Sequence, residues 1–301
     1  MTVSVTGVRE RIDAGIEWTE RAALDALNSM GLRATARLLA TVTTEAGLVQ
    51  FLEWAKGKGE EFVVLGEGTN VIFGDEFLNL VILRFGGDFA RAAAEGEAIT
   101  AGAAVPLARL IREAHDAGLS GLEDAWGIPG SLGGAIVGNA GTADWEIGDC
   151  VSWVEVFDRS GTKHRLTASE IGFGYRQSTL AGQVIVRARL DLKRDSDEHI
   201  DRRIERARAR RSGQPHGARS AGCIFKNPPG ESAGQLIETA GLKGLRRGGA
   251  VVSTDHANFI LNENNATSGD VVGLIDEVRR RVFEQFGITL EMEVHILRSA
   301  K

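Results

Sequence analysis

Five places in the sequence carry groups that could do chemistry. Gly66-Glu67-Gly68-Thr69-Asn70 follows an apolar run. Its glycines let the backbone turn sharply, so that successive amides can face an anion. Val71 stands where a dinucleotide fingerprint needs glycine, and the Lys-Ser/Thr of a P-loop is missing. Taken alone it reads as an ordinary turn. Gly127-Ile128-Pro129-Gly130-Ser131-Leu132-Gly133-Gly134-Ala135 is denser. Its paired glycines permit close packing against a flat or phosphorylated ligand, and a helix opening near Ser131 would aim its first amides at a pyrophosphate. A structural glycine knot accounts for the same residues equally well. Tyr175-Arg176, in GFGYRQSTL, offers a guanidinium that can grip a carboxylate, although a lone arginine is ordinarily a surface or ion-pair residue. Cys223, in SAGCIFKNP, reads by itself as a small buried hydrophobe, and Glu293, in LEMEVHIL, as a solvent-facing strand residue. The six histidines form no pair at metal spacing, and HExxH, CxxC and G-x-S-x-G are all absent, so no metal is assigned.

The elements that must position these groups follow from periodicity. EAGLVQFLEWAKG (45–57) places Leu48, Phe51, Leu52 and Ala55 on one helical face. Strands are expected in 61–73, 81–85 and 183–193, and a hairpin in 151–167 around Arg159-Ser160-Gly161. PLARLIREAHDAG (106–118) reads as a helix with proline in its first turn and Gly118 as its stop. The arginine-rich run 198–212 reads as a helix with a solvated face and marks a domain border. A helix over 233–244, stopped by Gly241, is followed by the clearest one, TSGDVVGLIDEVRRRVFEQFG (267–287). There Thr267 and Asp270 resemble a capping box, and Val271, Ile275, Val278, Val282 and Phe286 form the buried stripe. ITLEMEVHIL (288–297) is expected as a closing strand. Helices and strands mix throughout, which makes the class α+β.

Composition narrows the function. The 38 glycines are about twice the roughly 7% of an average chain, which points to many turns and close backbone approaches. A net charge of −6 argues against a nucleic-acid partner held through phosphates. No run approaches the roughly 18 apolar residues of a membrane span, and MTVSVTGVRERIDAG lacks the apolar core of a signal peptide. Cys150 and Cys223 are expected as free thiols of a cytoplasmic protein.

Taken together, VLGEGTNVIF, GLSGLEDAWGIPGSLGGAIVGNAG, GYRQS, AGCIFKNP, AGQLIETAGLKG, GGAVVSTDHANFILNENNAT and LEMEVHIL occur in an order and spacing that cover most of residues 60–297. In these the chain resembles the UDP-N-acetylenolpyruvoylglucosamine reductase (MurB) family. The short stretch between GYRQS and AGCIFKNP is similar to its compact type II form. The resemblance implies an FAD-binding fold of the vanillyl-alcohol-oxidase/PCMH type in two subdomains (1–80 and 81–196) and a C-terminal α+β substrate domain (197–301). It implies an NADPH-dependent, FAD-mediated reduction of the enolpyruvyl ether of UDP-N-acetylglucosamine to UDP-N-acetylmuramate in peptidoglycan precursor synthesis. The enzyme would be a cytoplasmic monomer whose partners are the nucleotide-sugar and NADPH, with no nucleic acid and no membrane.

By match to the family motifs, Arg176 and Glu293 would stabilise the charge that develops beside the substrate carboxylate. Cys223, where most members have serine, would protonate carbon; a thiol, ordinarily near pKa 8.5, is the stronger acid. Gly66, Gly68, Thr69, Asn70, Gly130, Ser131, Gly134 and Asn139 fall in the flavin-binding loops. Tyr175, Lys226, Asn227 and Asn258 fall where the family binds substrate or nicotinamide phosphates. The chain departs from the pattern at Arg33-Ala34, which replace a Gly-Gly pair, at Ala143, which stands near a usual tyrosine, at His295, often arginine, and at Cys223 itself. The altered tyrosine and His295 leave open another flavoprotein oxidoreductase of the same fold. The altered N-terminal motif leaves open a non-catalytic FAD or nucleotide-sugar binding protein.

Overall fold

A computed structural model describes residues 3–5, 8–13, 15–215 and 217–299. The outer ends of the expected domains, Met1 and Lys301, lie outside the described residues. The chain divides into two compact units: 1–20, 38–66 and 81–212 form the first, and 21–37, 67–80 and 213–301 the second. Among the described residues, no helix is long and apolar enough to cross a membrane.

The first unit has two apolar cores. One lies under helix α1, Glu45–Lys58. Thr44 caps it by accepting from the Gly47 amide at 3.1 Å, and Leu48, Phe51, Leu52 and Ala55 form the buried face, as their spacing predicts. Phe51 packs against the rings of Trp18, Trp54 and Phe62. The other core belongs to a five-stranded antiparallel sheet in the order Lys163–Thr167, Val151–Phe157, Val184–Asp191, Ala98–Gly102, Ala92–Glu95. The first two strands are the expected hairpin. Helices α2 (Leu107–Asp116) and α3 (Leu132–Val137) bury Leu110, Ile111, Leu132 and Ile136 in that core.

Helix α4, Asp197–Arg210, belongs to the same unit. The 196/197 limit implied by the resemblance falls before it, whereas the compact unit runs on to Ser212, at the end of the arginine-rich run read as a border. The reason is packing and charge. Ile200 and Ala207 are buried, and Arg203 pairs with the buried Glu123 at 3.0 Å and also with Asp195. The remaining arginines stay on the solvated face.

The second unit is built on a four-stranded antiparallel sheet in the order Ser220–Cys223, Phe259–Asn262, Ala250–Val252, Arg246–Arg247. Helices α5 (Ala233–Thr239) and α6 (Ser268–Phe286) share its core. Helix α5 ends where the sequence placed its stop, with Gly241 at φ +70° just beyond its C-cap Ala240. Residues 288–297 do not form one strand. Only His295–Leu297 is regular, paired in parallel with Val71–Phe73. The chain bends at Glu293-Val294 because both amides turn toward the single Ile224 carbonyl, at 2.8 and 3.4 Å.

Helix α6 matches its sequence signature most closely. Thr267 accepts from the Asp270 amide at 3.1 Å while Asp270 accepts from the Thr267 amide at 2.9 Å, and Gly287 closes the helix at φ +70°. Thr267→Ala is expected to lower stability by about 1 kcal/mol, read as a lower urea midpoint. An unchanged midpoint would mean that the cap contributes nothing.

Candidate active site

In the first unit, Tyr175 and Arg176 form the turn of a very short hairpin, Phe173–Gly174 with Gln177–Ser178. Arg176 has φ +56°, a left-handed conformation that costs a residue with a Cβ about 1–2 kcal/mol. Its side chain is only 17% exposed. Nη2 donates to the Gly141 carbonyl at 2.8 Å, and Nη1 lies 3.9 Å from the Glu146 carboxylate. The guanidinium also sits 5.1 Å from the ring centre of Tyr175, which is 46% exposed. Ser178 anchors the hairpin's other arm by donating to the Val137 carbonyl at 2.9 Å.

Asn139, assigned from sequence to the cofactor, is fully buried. Its carboxamide nitrogen donates to Glu146 at 2.6 Å and to the Gly174 carbonyl at 3.1 Å, and its oxygen accepts from the Gly148 amide at 3.1 Å. The side chain is therefore committed to protein. Neither Glu146 nor this use of Asn139 was found from sequence. The one local signal is the Glu146-x-x-Asp149 capping box of a short helical turn.

Gly66 and the 130–134 loop meet in the same unit. A Cβ on Gly66 would stand 2.7 Å from the Ser131 hydroxyl, and one on Gly134 would meet only that hydroxyl, at 3.8 Å. Gly66 and Gly134 are exposed, so bare backbone faces open space on both segments. A flat or phosphorylated group fits such a cradle. The sequence-based expectation that the first amides of α3 point at a pyrophosphate is corrected, however. The Leu132 amide donates to the Val105 carbonyl and the Gly133 amide to the Ala103 carbonyl, both at 2.9 Å.

In the second unit, Gly68 is glycine for a packing reason. Its φ is +64°, and a Cβ there would run into the Leu27 carbonyl. Asn70 donates to the Glu293 carbonyl at 3.1 Å and accepts from the His295 amide at 3.0 Å. Thr69 between them is half-buried. Residues 224–226 run alongside 291–293. The Lys226 amide donates to the Glu291 carbonyl at 2.9 Å and the Glu293 amide to the Ile224 carbonyl at 2.8 Å. This sets Glu293 opposite the residue that follows Cys223. Lys226 Nζ pairs with Glu291 at 2.6 Å.

Asn258, expected to touch substrate, is 3% exposed, and its carboxamide grips both backbone groups of Phe225, at 3.0 and 2.8 Å. It holds the strand that carries Cys223. Burial pushes the His256 imidazole below its usual pKa, and its Nδ1 lies 3.3 Å from the Asn258 amide as the acceptor. Asn227 accepts from the Ala233 amide at 3.0 Å, at the start of α5.

Two domain families match the chain: "UDP-N-acetylenolpyruvoylglucosamine reductase, C-terminal domain" over residues 214–297 and "FAD binding domain" over residues 36–167. Among curated relatives, the UDP-N-acetylenolpyruvoylglucosamine reductase of Heliobacterium modesticaldum is 39% identical over 285 residues, covering 93% of this chain and 91% of the relative. That of Thermus thermophilus is 42% identical over 276 residues, covering 91% and 98%. The crystal structure of UDP-N-acetylenolpyruvylglucosamine reductase from Thermus caldophilus superposes with a TM-score of 0.82 at 40% identity, covering 95% of this chain and 99% of that one.

The two thiols differ sharply. Cys150 is buried, which pushes its pKa up to about 11, and it donates to the Gly121 carbonyl at 3.2 Å. Cys223 is half-exposed. Iodoacetamide at neutral pH is therefore expected to label Cys223 at least about tenfold faster than Cys150. Peptide mass mapping checks this, and equal labelling would contradict the burial difference.

Proposed function

The chain belongs to the UDP-N-acetylenolpyruvoylglucosamine reductase family, and on that premise we propose how its residues divide the reaction. It is an FAD-dependent oxidoreductase of α+β fold. It reduces the enolpyruvyl ether of UDP-N-acetylglucosamine to UDP-N-acetylmuramate in peptidoglycan precursor synthesis, the activity called UDP-N-acetylmuramate dehydrogenase. The observation that carries the assignment of roles is the backbone pairing that sets Glu293 opposite the residue next to Cys223.

Gly66, Gly130, Ser131 and Gly134 would hold the FAD, whose loops also include Gly68, Thr69 and Asn70. When bound, FAD supplies the hydride, drawn from NADPH, to the terminal vinyl carbon of the substrate. The remaining work falls to side chains. Arg176 grips the substrate carboxylate and opposes the negative charge that spreads onto it, an effect typically worth about 3–4 kcal/mol of barrier when the donor is aimed at developing charge. Glu293 takes part as a carboxylic acid that donates a hydrogen bond to the same charge. The Cys223 thiol transfers its proton to the carbon bearing the ether oxygen, completing the saturated lactyl ether. The thiolate left behind regains a proton from solvent. A positioned acid of this kind contributes about 10²–10⁴-fold. Tyr175, Lys226 and Asn227 take substrate or nicotinamide phosphates, and Asn258 acts through Phe225.

As a functional division we assign 1–80 and 81–196 to flavin and 197–301 to substrate, with α4 as the link. We place the enzyme in the cytoplasm as a monomer of the compact type II form. Its product serves cell-wall biogenesis, and through it cell shape and division. An acidic net charge of −6 suits small anionic ligands held at local cationic sites rather than a nucleic-acid partner.

The purified protein should be yellow, bleach with NADPH, and oxidise NADPH only when the enolpyruvyl sugar nucleotide is added. Flavin without substrate-dependent oxidation would reject the activity. Cys223→Ser should keep measurable turnover. Cys223→Ala should lose the second half-reaction by about 10²-fold or more while flavin reduction by NADPH stays near normal. Equal loss of both half-reactions would make Cys223 structural.

A further inference from the structure

A hairpin of two residues per strand has too little pairing to hold its own shape. Yet the one formed by 173–178 carries Arg176 in a left-handed turn at φ +56°. Hydrogen bonds to one neighbouring segment, 137–146, help to hold it. Val137 accepts from Ser178, Asn139 donates to the Gly174 carbonyl at 3.1 Å, and Gly141 accepts from the guanidinium at 2.8 Å. At the end of that segment, Glu146 presents its carboxylate 3.9 Å from Arg176 Nη1. This carboxylate is itself immobilised. The Asn139 carboxamide donates to it at 2.6 Å, and the backbone of Asp149 donates to it in the capping box. Asn139 is fully buried and has φ +42°, so an apolar residue there would leave three backbone or carboxylate partners without their hydrogen bonds.

We infer that Glu146 is a positioning residue for Arg176, fixed by the buried carboxamide of Asn139. The inference rests on the reading of Arg176 as the group that grips the substrate carboxylate. A carboxylate about 4 Å away attracts the guanidinium without saturating it. It restrains rotation about the long side chain. Loss of its charge has a definite signature. The guanidinium still finds the ground-state carboxylate, even without a competing anion, but it is no longer held where charge develops. The loss therefore falls on kcat and not on KM.

The test uses the flavin-loaded enzyme. Glu146→Gln keeps the volume and an acceptor for Asn139. It should lower the rate of the substrate half-reaction about tenfold, leave KM for the sugar nucleotide no higher, and leave flavin content and reduction by NADPH unchanged. Asn139→Asp adds a second signature. Its new carboxyl would face that of Glu146, and the two can be joined only while they share a proton. The ratio of variant to wild-type activity should therefore be highest at low pH and fall as pH rises. A flat ratio, wild-type turnover in Glu146→Gln, or loss of flavin together with both half-reactions would overturn the inference. Arg176→Ala separates this from failure of the underlying reading. If it leaves the substrate half-reaction intact, the role of Arg176 is wrong. If it abolishes that step while Glu146→Gln behaves as wild type, only the positioning role is wrong.

Discussion

Buried asparagine carboxamides hold together the irregular segments on which the chemistry is mounted. Turns and bends leave backbone groups that no helix or ladder satisfies, and a buried group left unpaired costs about 1–3 kcal/mol. Four asparagines answer this need. Asn139 serves Gly148 and Gly174, and Asn258 serves both backbone groups of Phe225. Asn28 accepts from the Leu32 amide and donates to the carbonyls of Leu24 and Leu32. Asn262 donates to Met30 and accepts from Ala266. A carboxamide suits this work because it offers a donor and an acceptor on one rigid plane and titrates at no working pH.

The consequence is that the proposed catalytic groups sit on short segments that are nevertheless fixed. Arg176 occupies a turn that local preference disfavours, and the surrounding hydrogen bonds over-determine it. Glu293 sits at a bend where two successive amides share one carbonyl, with Asn70 tethering its own carbonyl. Regular elements would restrict a side chain to one face at a set spacing. Bends held by side-chain amides free its direction without making it loose.

What the sequence revealed follows the same division. Helix α6 was legible to the residue because its cap, apolar stripe and terminal glycine all agree. Helix α1 and the hairpin around Arg159-Ser160-Gly161 were readable for similar reasons. The 288–297 segment was not, since its alternation survives while the Ile224 carbonyl bends its backbone. The direction of the α3 amides stayed open between two readings because their carbonyl partners, at 103 and 105, belong to a distant stretch of chain. Arg176, Cys223 and Glu293 stood out only as members of an ordered motif series. Asn139 and Asn258 were marked as important but given ligands, when their carboxamides are turned on the protein's own backbone. Sequence spacing shows that a polar residue is present, not which way its donor faces.

The contrast between the two thiols shows how little local sequence decides. Both cysteines carry the same group, and neither has a neighbouring motif that predicts acidity. Cys150 lies among apolar residues of the sheet core, where burial suppresses ionisation and its hydrogen goes to a backbone carbonyl. Cys223 ends a strand whose pairing is interrupted between Ser220 and Cys223, directly after Gly222 at φ +77°, a position with open space where a Cβ would stand. The ladder resumes with Cys223 opposite Phe259 after this shift, and Cys223 is half-buried. The acid role proposed for Cys223 thus falls to the thiol at an irregular strand, while Cys150 in the packed core fills volume.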